Sequence, residues 1–189
     1  MSRTTVIVLV ALGAAIAGFA FSSNARRADG EGAVSPRSVA AGEQTAVLGW
    51  RETTGEPGER LVFSVEQLQV LPNGWRAEIS LENHTSTAIR VMSTQRQPFG
   101  LMVLSTGSYE EFEQMARDDM LPAVRPAVRY VPRPPAHLEP GDSWRGTISA
   151  PGALVASSWL RVVFGGLVSV VRPRESMSWI TDHTYHVRP

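Results

Sequence analysis

Cysteine and lysine are both absent from the 189 residues. Without Cys the chain has no disulfide, no thiol nucleophile, no thiolate metal site and no lipid-modified Cys anchor. Without Lys there is no Schiff-base amine and no P-loop lysine. An excess of charge of one sign is missing too, since 18 basic residues, all Arg, balance 18 acidic ones. Nucleic-acid binding draws much of its affinity from accumulated positive charge, so a chain of zero net charge excludes that partner class. Long hydrophobic runs are scarce, and only one stands out.

That run is Val6–Phe21 (VIVLVALGAAIAGFAF), 16 residues without charge or Pro. Its length falls between the h-region of a secretory signal and a spanning helix of about 17–25 residues. Ser23-Asn24-Ala25 places small residues where a signal peptidase would cut after Ala25. Residues 1–25 therefore read as a signal peptide or as a signal-anchor helix. Arg3 on one side and Arg26-Arg27 on the other leave membrane orientation almost tied by charge. The position of the run, close to the N-terminus, points to an exported body. Residues 26–44 hold Ser, Ala, Gly, Arg and Pro with few large apolar side chains, which reads as a disordered linker.

From residue 45 to 189 alternation dominates. Trp75, Ala77, Ile79 and Leu81 take every second position, as on a half-buried strand. Pro72-Asn73-Gly74 joins this strand to Leu61–Leu71 as a hairpin, because Asn and Gly tolerate positive φ. Asn83-His84-Thr85-Ser86 is a turn into Thr87–Met92, and Pro98–Ser105 is apolar on both faces, as a central strand is. Ser108 and Glu111 form a capping box that opens a helix over Tyr109–Met120. Tyr109, Phe112 and Met115 are its sheet-facing residues; Glu110, Glu113 and Asp118 face water. Pro density forbids helix over Leu121–Pro135, which reads as an edge strand or polyproline-like strap. Strands follow at Trp144–Ala150, Trp159–Phe164, Leu167–Val171 and Ser178–Val187, the middle pair separated by Gly165-Gly166. Seven to nine short strands with turns between them predict a mainly β fold, a sandwich with one short helix inserted.

The segments AEISLENHTSTAIRV, LEPGDSW and WLRVVFGG resemble bacterial extracytoplasmic immunoglobulin-like domains. The resemblance covers Leu61–Gly166 and consists of turns and alternation. It implies an immunoglobulin-like β-sandwich used in adhesion, assembly or ligand display, and it carries no catalytic residues onto this chain. The helix and strap, Tyr109–Pro135, depart from the plain pattern.

Candidate sites are few. In an extended strap Arg125, Arg129 and Arg133 share one side, with Val124, Val128 and Tyr130 on the other. The three Arg suit an anionic partner such as lipid headgroups or an anionic envelope polymer, unless the upstream acids Glu110, Glu111, Glu113, Asp118 and Asp119 neutralise them. The five Trp (50, 75, 144, 159 and 179) lie in or beside strands, which favours core packing. Trp75, directly after the hairpin turn, is the one to expect at the surface. Asp182-His183-x-x-His186 has metal-ligand composition, but a spacing of three on a strand puts the imidazoles on opposite faces. His84, with Met92 and Met102 downstream, has the composition of a copper site, although Met in strands is more often core. Asn83-His84-Thr85 matches a glycosylation sequon and equally a turn. No Gly-x-Ser-x-Gly elbow or Gly-rich loop marks catalysis or a nucleotide, and no cofactor is expected. The expected function is a non-enzymatic, envelope-associated module for protein or polymer interaction. Its membrane contact would be the N-terminal segment if uncleaved. Two further readings remain: a carbohydrate or small-ligand module using exposed Trp, and an extracytoplasmic hydrolase whose site assembles only in space.

Overall fold

A computed structural model of the chain describes residues 39–91, 99–105, 107–170 and 176–189. They belong to one compact unit, Pro36–Pro189. The apolar run Val6–Phe21 and residues 26–38 of the linker lie outside the described residues. Among the described residues no helix is long and apolar enough to cross a membrane.

The chain folds mainly as strands, in two antiparallel sheets. The first runs β1 (Gln44–Glu56), β2 (Glu59–Leu71), β3 (Gly74–His84), β9 (Ser143–Pro151) and β7 (Arg129–Val131), in that spatial order. The second has the order β6 (Val124–Pro126), β5 (Gly100–Leu104), β10 (Trp159–Ser169), β4 (Ile89–Val91) and β8 (His137–Leu138). On β10 it also carries β11 (Ser176–Ile180) and β12 (Tyr185–His186). The expected β2–β3 hairpin is present, with Leu71 opposite Gly74. Trp75, Ala77, Ile79 and Leu81 point together into the core.

The sheets face one another across that core. Phe63 and Val65 of β2 and Trp144 and Ile148 of β9 meet Leu101 of β5 and Leu160, Val162 and Phe164 of β10. Aromatic rings link the sheets: Phe63 lies 5.2 Å from Phe164, and Phe99 lies 5.9 Å from Phe164 and 6.2 Å from Trp144. Burying each such side chain contributes about 2 kcal/mol, which lets a domain of this size stand without disulfides.

Several expectations give way here. Trp75 is 1% exposed, so the suspicion of a surface Trp is wrong. Its place in the alternating set, not its nearness to the turn, decides where it points. Gly165-Gly166 do not turn the chain. They lie where β10 shifts register between Phe164 and Leu167, with Gly166 at φ 64°, so one bulged strand replaces the two expected. Ser178–Val187 is broken in turn, into β11, a bend and β12. The fold also reaches back before Thr45: Ala41 N donates to Leu154 O at 2.8 Å and Ala156 N to Val39 O at 2.9 Å.

Helix α1 (Tyr109–Arg117) begins with both halves of the predicted capping box, Ser108 with Glu111. It ends at Asp118, before Asp119 takes a left-handed φ of 55°, so it is shorter than the expected Tyr109–Met120. Phe112 is buried against Met102 and Val163, side chains of the second sheet that point away from the shared core. The helix therefore covers the outer face of that sheet. Glu113 does not face water as expected; it pairs with the buried guanidinium of Arg161, which also lies over the Phe112 ring.

Candidate functional site

The strap does not form one arginine row. Val124–Pro126 joins the edge of the second sheet, with Leu101 opposite Arg125. Arg129–Val131 joins the edge of the first, with Ser149 opposite Arg129. Between them the chain crosses the open side of the sandwich: Ala127 N donates to Phe99 O at 2.8 Å and Val128 N to Ser149 O at 2.9 Å. The crossing breaks the alternation that would have aligned the three arginines. Val128, expected on the side opposite the arginines with Val124 and Tyr130, is 68% exposed. Arg125 and Arg129 thus sit on different sheets, and Arg133 follows β7 in exposed coil. The acids of α1 do not neutralise the strap. Among the described residues the four ion pairs are Arg51–Glu82, His84–Glu82, Arg161–Glu113 and His183–Glu52, and none includes a strap arginine.

A denser constellation lies on the opposite side of the sandwich, where β1 meets the C-terminal segment. Glu52 of β1 carries a carboxylate only 8% exposed. Its Oε2 accepts from Trp179 Nε1 at 2.8 Å and from Asp182 N at 3.1 Å. Its Oε1 accepts from His183 N at 3.2 Å and faces His183 Nδ1 at 2.6 Å. A carboxylate surrounded by donors supplies acceptors, which places the imidazole proton on Nδ1. Trp50 stacks on the imidazole, centroids 5.5 Å apart and planes at 21°. Thr181 fixes the same bend by accepting from Val162 N at 3.1 Å and donating to His183 O at 3.0 Å. Further along, Gln44 Oε1 accepts from Tyr185 Oη at 2.8 Å and from Arg188 N at 3.0 Å.

This cluster was not legible as a site, because Glu52 and His183 are 131 residues apart. Chemically, a carboxylate on Nδ1 orients an imidazole to act through Nε2 as a base or a ligand. Here the same carboxylate also holds two backbone amides and an indole, which is the work of a structural clasp. His186, three residues on, goes elsewhere: it stacks on Trp159 with centroids 4.4 Å apart. Tyr109 approaches Trp159 from α1 at 5.5 Å, giving a partly exposed aromatic strip. Burial, and after it the Glu113 carboxylate, raise the Tyr109 phenol above its ordinary pKa. Among the described residues no group of three or more His, Asp or Glu could hold a metal ion.

Of the remaining motif residues, Met92 lies outside the described residues. His84 Nε2 meets Glu82 at 2.9 Å. Asn83, the sequon residue, is fully buried, and its Nδ2 donates to Thr87 O and Leu138 O, both at 2.9 Å. With both amide hydrogens engaged, Asn83 pins the β3–β4 turn to β8. Comparison with protein-family models, with curated proteins and with solved structures finds no match to this chain.

Proposed function

We propose that the chain is a non-enzymatic, envelope-associated module with an immunoglobulin-like β-sandwich that works by binding a protein or a polymer. Its N-terminal apolar segment would export or anchor it, leaving the body extracytoplasmic. The observation that carries this reading is the clasp. The His–carboxylate pair that best fits catalytic geometry is occupied in holding a bend against an edge strand, with the four donors of Trp179, Asp182 and His183 converging on Glu52. Function then falls to the outer surfaces of the sheets, as a display fold uses them.

A second reading, a carbohydrate or small-ligand module, is favoured by the strip of Tyr109, Trp159 and His186. Partly exposed rings in a row offer faces and edges to a sugar. It shifts the aromatic candidate from Trp75 to Trp159.

Fractionating cells and determining the mature N-terminus tests the main reading. The expected result is the chain in the envelope or extracellular fraction, either whole or beginning at Arg26. Finding the intact chain in the cytosol would overturn it.

A further inference from the structure

The register of the first sheet gathers three arginines that are scattered in the sequence. Arg76 of β3 and Arg129 of β7 lie opposite the same residue, Ser149 of β9, one from each side. Neighbouring strands are about 4.8 Å apart, so their Cα atoms are separated by about 10 Å. Arg145 lies on β9 itself, four residues before Ser149 and about 13 Å along the strand. Its neighbours Trp144 and Gly146 are buried, and so is Ile148, whereas Arg76, Arg129 and Arg145 are all exposed. The three guanidiniums therefore stand on the outer face of the first sheet. α1 covers the outer face of the other sheet, so this one is free of it.

The charge on this face is unbalanced locally although the chain as a whole is neutral. None of the three arginines belongs to an ion pair among the described residues. One acid shares the triangle, Glu78, opposite Thr147. Three guanidiniums against one carboxylate leave a net +2. Glu82, the next acid along β3, is occupied by Arg51 at 2.8 Å and by His84 at 2.9 Å. Between the arginines lie the hydroxyls of Thr147 and Ser149.

The geometry points to this face as a docking surface for a linear acidic polysaccharide, a polyuronate. The inference rests on the envelope-module reading and names its partner and its residues. A guanidinium fork matches a planar carboxylate with two parallel hydrogen bonds, and Ser and Thr hydroxyls can both donate to and accept from sugar hydroxyls. An open three-strand surface with charges about 10–13 Å apart suits an extended polymer better than a small molecule, which prefers a concave pocket. A membrane surface is the poorer fit, since recognition of anionic lipid typically uses a cluster of 4–8 basic residues. Of the strap arginines only Arg129 belongs to the surface; Arg76 and Arg145 replace Arg125 and Arg133.

The test is equilibrium binding of the full chain, in non-ionic detergent, to polygalacturonate across a salt series. Polyphosphate and anionic phospholipid vesicles serve as alternative probes. The expected result is polygalacturonate binding that weakens as salt rises and falls at least tenfold in R76Q/R129Q/R145Q, while R125Q/R133Q stays within twofold of the parent. Exposed Arg→Gln changes leave stability nearly untouched, and an unchanged thermal midpoint verifies that the triple variant is folded. No binding to polygalacturonate, equal loss in both variants, or tighter binding to polyphosphate or vesicles would overturn the assignment. Fractionation separates the two levels. Envelope location without polymer binding removes only the ligand, and polymer binding by a cytosolic chain removes only the location.

Discussion

The two open sides of the sandwich are closed by different chemistry. On one side the strap crosses from the second sheet to the first, held by the backbone amides of Ala127 and Val128. Its side chains do little there: Ala127 is buried, Tyr130 meets Phe99 at 6.1 Å, and Val128 and Val131 are exposed. On the other side β1 and the C-terminal segment are joined mostly by side chains, with Glu52 and Gln44 as acceptors and Trp50 as a stacking surface. A seam of backbone hydrogen bonds tolerates sequence change at its side chains. A seam that converges on one carboxylate depends on that residue. Charge is placed differently as well: Glu52 is buried among donors, and the strap arginines belong to no ion pair among the described residues.

The largest expected effect is at Glu52. Glu52→Ala strips the acceptor from an indole, an imidazole and two amides, and because these donors are only partly buried, leaving each unpaired costs about 1 kcal/mol, the low end for such groups. Loss of about 3 kcal/mol or more in a denaturant titration is expected, with early release of the segment after Ile180. Thr181→Val comes next. It removes an acceptor for Val162 N and a donor to His183 O, for about 1–2 kcal/mol by the same titration. On the other seam, R125Q/R129Q/R133Q should shift stability by no more than about 0.5 kcal/mol, because these side chains close nothing. A strap variant as damaging as Glu52→Ala would show that the strap's side chains hold the seam after all.

The smallest effect concerns Glu82 on the open face, which belongs to neither seam. The hydrogen bond from Arg51, and then that from His84, hold its carboxyl below the ordinary value of 4.5. Because the folded-state pKa is the lower one, the stabilisation is present above that ordinary value and is lost as pH falls through the depressed one. Glu82→Gln should flatten the acid limb of a stability–pH profile below about pH 4.5, by about 0.5 kcal/mol or less, since the Arg51 side chain is 57% exposed. An unchanged acid limb would contradict this.

Local signals carried much of the fold. Pro72-Asn73-Gly74 marks the β2–β3 hairpin, the Ser108–Glu111 box marks the helix start, and alternation sets Trp75 to Leu81 on one face, while nearness to the turn says nothing of how exposed Trp75 is. What failed needed partners. β1 carries a bulge between Val47 and Trp50, with Gly49 at φ 59°, and its inward set of Ala46, Leu48, Trp50 and Glu52 ends on a carboxylate that only the C-terminal segment makes buriable. Gly165-Gly166 have the composition of a turn and become a bulge only because β10 finds neighbours on both sides. The arginine row dissolved because the strap changes sheets at Ala127, an event with no signature in Pro-Ala-Val-Arg. Neither Glu52–His183 nor the Arg76–Arg129–Arg145 surface could be read from the chain, since both are assembled by strand order alone.

The Glu52–His183 pair holds β1 to the C-terminal segment, whereas backbone amides hold the strap. Native-state hydrogen exchange in the parent and in Glu52→Gln tests this difference most directly. Gln keeps the shape but supplies one carbonyl oxygen where the carboxylate supplied two acceptors. Faster exchange is expected at whichever of the Asp182 and His183 amides loses its oxygen, with Ala127 and Val128 on the far seam as protected as before. Unchanged exchange at Asp182 and His183, or equal acceleration at both seams, would contradict it.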